Sequence, residues 1–294
     1  MAKLILVEGI AGSGKSTTAK KIEQILRAQG AEVRCFQEGD PHPCDLAWHA
    51  CVPVAVYEGL LSTFPEHKNT LEHLTSLEGD TAYIAYTKLE LGPDHPLFTT
   101  LKELEPYQGR VSLEKFRALH LSRWRAFAER AKEDDATYIF ECAYFQNHVS
   151  ELMLTYEASP EAITAHLQVL IETVRSLEPL LIYLSPTDVA RTIDHAAVER
   201  KSDHPEWKDW FDQVIDYVQD SSYGKTHGVE GRAGVLEFFE RRRRLELAML
   251  EQLPIRSYVR KVEANFAQPP IEDDVSLAAM LASISKVDVS TTRR

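Results

Sequence analysis

Hydrophobic positions along this chain follow two rhythms. Five short apolar runs, Lys3–Glu8, Glu32–Gln37, Thr137–Glu141, Leu180–Leu184 and Arg256–Val262, read as parallel strands. Tyr138-Ile139-Phe140 and Leu180 through Leu184 are apolar without interruption, as strands covered on both faces must be. Between the runs, apolar residues return every three or four positions, the helical period. Ile22, Ile25 and Leu26 repeat this way until Gly30, and Leu113, Phe116, His120, Trp124, Phe127 and Ala131 do so behind a Ser112 cap. Ser159-Pro160-Glu161 opens a helix carrying Ile163, Leu167, Leu170 and Val174, and Gly234–Leu250 carries Leu236, Phe239, Leu247 and Leu250. Strands alternating with such helices predict an α/β fold, a doubly wound five-stranded parallel sheet flanked by helices.

Two stretches exceed what that sheet needs. Residues 41–111 form an insertion with a predicted hairpin, Leu71–Leu77 and Ala82–Leu89 flanking Glu78-Gly79-Asp80. Residues 198–233 place Trp207, Trp210, Phe211 and Val214 at helical spacing before a glycine-containing segment, Ser221 to Gly228. The first is expected to cover an acceptor site and the second to act as a lid. Residues 1–265 read as one domain, and 266–294 as a tail with a short amphipathic helix at Val275–Ile284.

The candidate chemistry begins where the first strand ends. Gly9-Ile10-Ala11-Gly12-Ser13-Gly14-Lys15-Ser16 is a complete G-x-x-x-x-G-K-[ST] loop between a predicted strand and a predicted helix. Gly9, Ala11, Gly12, Ser13, Gly14, Lys15, Ser16 and Thr17 are the expected ATP-binding residues, with backbone N–H groups around the phosphates. Lys15 is expected to reach the β- and γ-phosphates and Ser16 to hold Mg²⁺. Glu141 closes an apolar strand near the loop and is the expected second magnesium-orienting residue. Glu38 and Asp40 follow the second strand, at the sheet edge where ligands bind, and are both candidate general bases. Arg191 and Arg200, with Lys201, are candidate cations for the transferring phosphoryl group. Arg117, His120, Arg123 and Trp124 fall on or beside an apolar helical stripe and read as structural.

Composition narrows the partners. A net charge of −12 argues against nucleic acid as the main partner, because phosphate backbones demand a basic face. No apolar run approaches the ~20 residues that span a bilayer. Cys35, Cys44, Cys51 and Cys142 form no C-x-x-C pair and suit a reducing cytoplasm. His42, Cys44, His49 and Cys51 are zinc-ligand types, but their spacing matches no common zinc pattern; the segment reads as the start of a helix, with buried thiols and surface imidazoles. The run Arg241–Arg244 reads as a salt-bridged helix surface through Glu237–Arg241 and Glu240–Arg244. The partner is then a small-molecule acceptor, with a homodimer left open.

The opening Leu4 to Thr18, the segment Pro179 to Pro186 followed by a helix with Arg191, and Leu236-Glu237-Phe238-Phe239-Glu240-Arg241 together resemble the P-loop nucleoside and nucleoside-monophosphate kinases, thymidylate kinase-like and deoxynucleoside kinase-like proteins especially. The resemblance implies strand order 2-3-1-4-5, use of ATP and Mg²⁺, and a carboxylate after strand two, which falls on Glu38. It leaves 41–135 and 201–233 unmatched. Those families carry Asp-Arg or Glu-Arg at the end of strand three, where this chain has Glu141-Cys142-Ala143. The expected activity is transfer of the γ-phosphate of ATP to a hydroxyl of a nucleoside, sugar or antibiotic-like alcohol. The alternative is a nucleotide-dependent regulatory ATPase with a protein partner.

Overall fold

A computed structural model of the chain describes residues 2–202 and 207–263. Its strands are β1 (Leu4–Gly9), β2 (Val33–Phe36), β3 (His49–Pro53), β4 (Thr75–Glu78), β5 (Thr81–Ala85), β6 (Thr137–Glu141), β7 (Leu180–Pro186) and β8 (Arg256–Val262). Its α-helices are α1 (Lys15–Ala28), α2 (Val54–Thr63), α3 (Lys68–His73), α4 (Pro96–Glu103), α5 (Leu113–Lys132), α6 (Gln146–Leu154), α7 (Pro160–Thr173), α8 (Val189–Glu199), α9 (Trp210–Asp220), α10 (Ser222–His227) and α11 (Gly231–Leu250).

Five strands form a parallel sheet in the order β2-β6-β1-β7-β8. Counted along the chain within this sheet alone, that order is 2-3-1-4-5. The two-residue side-chain period of a strand sorts its apolar residues into two layers. Leu4 and Leu6 of β1 join Phe140 and Tyr183 in a core against α5, α6, α7 and α11. Ile5 and Val7 point the other way, with Ile139 and Ile182, onto Ala19, Ile22 and Leu26 of α1. Helices therefore cover both faces, which is why β1, β6 and β7 are buried along their whole lengths.

The insertion has a core of its own. β3, β5 and β4 make an antiparallel sheet in that order, and Val52, Leu60, Leu71, Ile84 and Phe98 pack beneath it. The predicted hairpin exists as β4–β5, but Leu71 lies in α3, and the sheet gains β3. Arg123 of α5 fastens this unit to the main body. Its guanidinium lies 2.6 Å from Glu78, donates to the His42 carbonyl at 2.7 Å and stacks 4.0 Å from the Tyr83 ring centre.

The lid-like stretch differs from expectation at its start. The helix begins at Trp210, and Trp207 stands edge-on to Phe98 of the insertion, centroids 5.4 Å apart. Trp210, Phe211 and Val214 pack on the main core. The last helix also starts earlier than predicted, at Gly231. The tail from 266 and the helix expected at Val275–Ile284 lie outside the described residues.

Candidate active site

β1 ends at Gly9 and α1 begins at Lys15, so the glycine-rich motif forms the turn between them. Gly12 has φ 77°, and a Cβ there would stand 2.7 Å from the Thr192 carbonyl oxygen of α8; only glycine meets both demands. Gly14, the N-cap of α1, is left-handed at φ 90°. Lys15 is buried and folds back over the loop, its Nζ donating to the Ile10 carbonyl at 2.9 Å. Ala11 and Ser13 are buried in the turn, and Thr17 is exposed on α1.

The sheet brings the acids to this loop. Val7 of β1 pairs with Glu141, and Phe36 of β2 pairs with Phe140, so the carboxyl ends of β2, β6 and β1 lie side by side. Ser16 Oγ donates to Glu141 Oε1 at 2.8 Å. A hydroxyl and a carboxylate meeting there form a hard oxygen donor set, which suits Mg²⁺. Glu38, two residues past β2, accepts from Gln146 Nε2 at 3.2 Å and from Trp48 Nε1 at 3.4 Å. A carboxylate between two N–H donors is fixed in orientation.

Other predicted residues have different engagements. Asp40 closes its own turn by accepting from the Gln37 N–H at 2.8 Å and pairs with Lys88 of the insertion at 3.1 Å. Arg191 lies in the first turn of α8, the helix whose Thr192 and Ala196 abut Gly12. Arg200 stacks on Trp210, 4.9 Å from the ring centre, and so ties the end of α8 to α9.

The histidines near Cys44 correct the expectation of a helix start with surface imidazoles. Both are buried, His42 in the irregular segment ahead of β3 and His49 as the first residue of β3. His42 Nδ1 accepts the N–H groups of Cys44 and Asp45, and His49 bonds the Ala47 carbonyl at 2.8 Å. Desolvation holds His49 down at about 4 and His42 well below its ordinary value, so both are neutral turn-formers. Among the described residues no cluster of three or more His, Cys, Asp or Glu is placed to hold a metal ion.

The arginine run also departs from a purely exposed surface. Arg242 is buried, 2.9 Å from the fully buried Glu246, and donates to the Gly9 carbonyl at 3.3 Å and to Ser150 Oγ at 2.9 Å. Glu240 pairs with Arg243 at 3.1 Å, while Arg241 lies over Tyr223. The stripe itself held the signal: Arg242 follows Phe238 and Phe239 at spacings of four and three, and Glu246 continues the row.

Glu8 is another buried residue whose role the sequence reading missed. It accepts from the Tyr144 N–H at 2.7 Å and the Gln146 N–H at 3.1 Å, at the start of α6. Burial pushes its carboxyl up to about 8. The residue before Gly9 thus anchors the turn that carries Gln146, and Gln146 in turn holds Glu38.

No protein-family model matches the sequence, and no curated protein matches it. Among solved structures the chain is similar to thymidylate kinase from Ehrlichia chaffeensis, with 10% identity, 95% of this chain and 97% of that chain covered, and a TM-score of 0.37. Among the described residues no helix is long and apolar enough to cross a membrane.

Proposed function

We propose that this chain transfers the γ-phosphoryl group of ATP to a hydroxyl of a small molecule. The observation that carries this reading is the meeting of the phosphate loop, the Ser16–Glu141 pair and Glu38 at one edge of the sheet. The loop's N–H groups and Lys15 would hold the phosphate chain, and Ser16 with Glu141 would hold Mg²⁺. Bound there, the ion would supply charge neutralisation for the phosphate chain. Glu38 is the better placed of the two candidate bases, since its side chain faces Gln146 and Trp48 whereas Asp40 is committed to Gln37 and Lys88. As the acceptor oxygen bonds to γ-phosphorus and the bond to the β-bridging oxygen breaks, Glu38 takes the hydroxyl proton and ADP leaves.

Incubation of the purified chain with labelled ATP, Mg²⁺ and a panel of nucleosides, sugars and antibiotic alcohols tests this. A labelled acceptor is the expected product, lost in Lys15→Ala. Glu38→Gln should depress kcat with ATP uptake intact. Hydrolysis of ATP with no labelled acceptor would move the reading to a regulatory ATPase.

A further inference from the structure

Trp48 combines two features that a tryptophan seldom carries together. Its backbone has φ 64°, in the left-handed region where a bulky residue is an outlier, and its side chain is 40% exposed. Such a conformation is strained and persists only where the surroundings over-determine it. They do so here. The Trp48 N–H donates to Glu105 Oε1 at 2.8 Å, and the other oxygen of that buried carboxyl receives the Tyr86 hydroxyl. On either side of Trp48, the Ala47 N–H is held by Asp45 at 3.0 Å and the Ala47 carbonyl by the ring of buried His49. Every one of these residues belongs to the 41–111 insertion. The indole so presented lies beside Glu38, with Nε1 3.4 Å from Glu38 Oε1.

We infer that Trp48 is the acceptor platform: a ring-bearing alcohol lays its flat, weakly polar face on the indole, which brings its hydroxyl to Glu38. This rests on the phosphotransferase reading and adds the class of acceptor. Stacking on tryptophan accepts either a heteroaromatic ring or the C–H face of a sugar, because both offer a flat surface and neither needs a charged partner. The insertion then has a stated job, which is to hold Trp48 in a strained backbone conformation against the base.

The test is calorimetry on the full chain with Mg²⁺ and a non-hydrolysable ATP analogue. Thymidine and adenosine form the heteroaromatic arm, methyl glucoside the sugar arm, and ribitol the ring-free control. At least one ring arm is expected to bind, and the arm that does identifies the source. Trp48→Ala should weaken that binding about ten- to hundredfold, while Trp48→Phe, which keeps a flat face and loses the N–H, should stay within about threefold. The Phe variant thereby separates stacking from a role confined to orienting Glu38. Glu105→Leu should weaken the same probe, and Glu105→Gln, which keeps an acceptor for the Trp48 N–H, should restore it. The inference is overturned if neither ring arm binds, if ribitol binds as well as the rings, or if Trp48→Ala leaves affinity unchanged. Failure to take up the ATP analogue would instead remove the phosphotransferase reading beneath it.

Discussion

Ser16 Oγ donates to Glu141 Oε1 across 2.8 Å, joining the first turn of α1 to the last residue of β6. The hydroxyl and the carboxylate therefore occupy the same corner of the loop, where together they would hold a divalent ion. Glu141→Ala is expected to leave the fold intact and to raise the Mg²⁺ concentration needed for half-maximal turnover, with kcat lower by roughly a hundredfold. Ser16→Ala should shift the same magnesium titration in the same direction. Titrations that overlay the wild type would take both residues out of the metal site.

Gln146 spans from the backbone anchor Glu8 to the side chain of Glu38. An ionised carboxylate can only accept, so the amide nitrogen of Gln146 must face it. Gln146→Leu removes that donor. Turnover should fall about tenfold with the KM for ATP unchanged, since the loop is untouched. Turnover equal to that of the wild type would show that Gln146 does not orient the base.

Arg242 and Glu246 form an ion pair shut away from water, the acid also receiving the Tyr183 hydroxyl at 2.6 Å. Removing one member leaves the other charge buried without compensation, a loss of about 3–5 kcal/mol. Arg242→Met should therefore cause a large drop in the urea midpoint. Adding Glu246→Gln, which keeps an acceptor for Tyr183 and discards the charge, should recover much of the loss. A double variant no more stable than the single would mean that Arg242 matters through its bonds to Gly9 and Ser150.

These relationships differ in how far the sequence reveals them. β6 and β7 are continuous apolar runs, and the phosphate loop is a local motif, so both are legible from neighbours in the chain. β3 is not, because His-Ala-Cys-Val-Pro is too short to show a period and ends in proline. Gln146 and Glu38 are 108 residues apart, and no periodicity states which side chains meet across a sheet edge. Arg242 illustrates a different failure: its place in the apolar stripe pointed inward, but formal charge argued for solvent. Burial became tolerable only through a partner one turn along the helix.

His166 bonds His148 across 3.1 Å, in a buried group that also contains His120 and faces Arg117. Desolvation and these neighbours hold His166 down at about 3, against an ordinary histidine value of 6.5. The unfolded chain therefore binds more protons than the folded one between those two values. Stability from this residue is complete above pH 6.5 and is lost as pH falls through the window. Glu8, pushed up to about 8, and Asp45, pushed up to about 7, act in the opposite sense, since they are protonated in the folded state over a range where the unfolded chain releases those protons. Raw acid sensitivity thus mixes both signs, and a difference measurement is needed. His166→Gln removes one titrating group from both states and leaves the carboxyls in place. The stability of wild type relative to the variant should fall by on the order of 1–2 kcal/mol between pH 7.5 and pH 5, measured by urea unfolding. Parallel stability curves for the two proteins would mean that His166 titrates in the folded protein as it does in water, and that the cluster admits a proton.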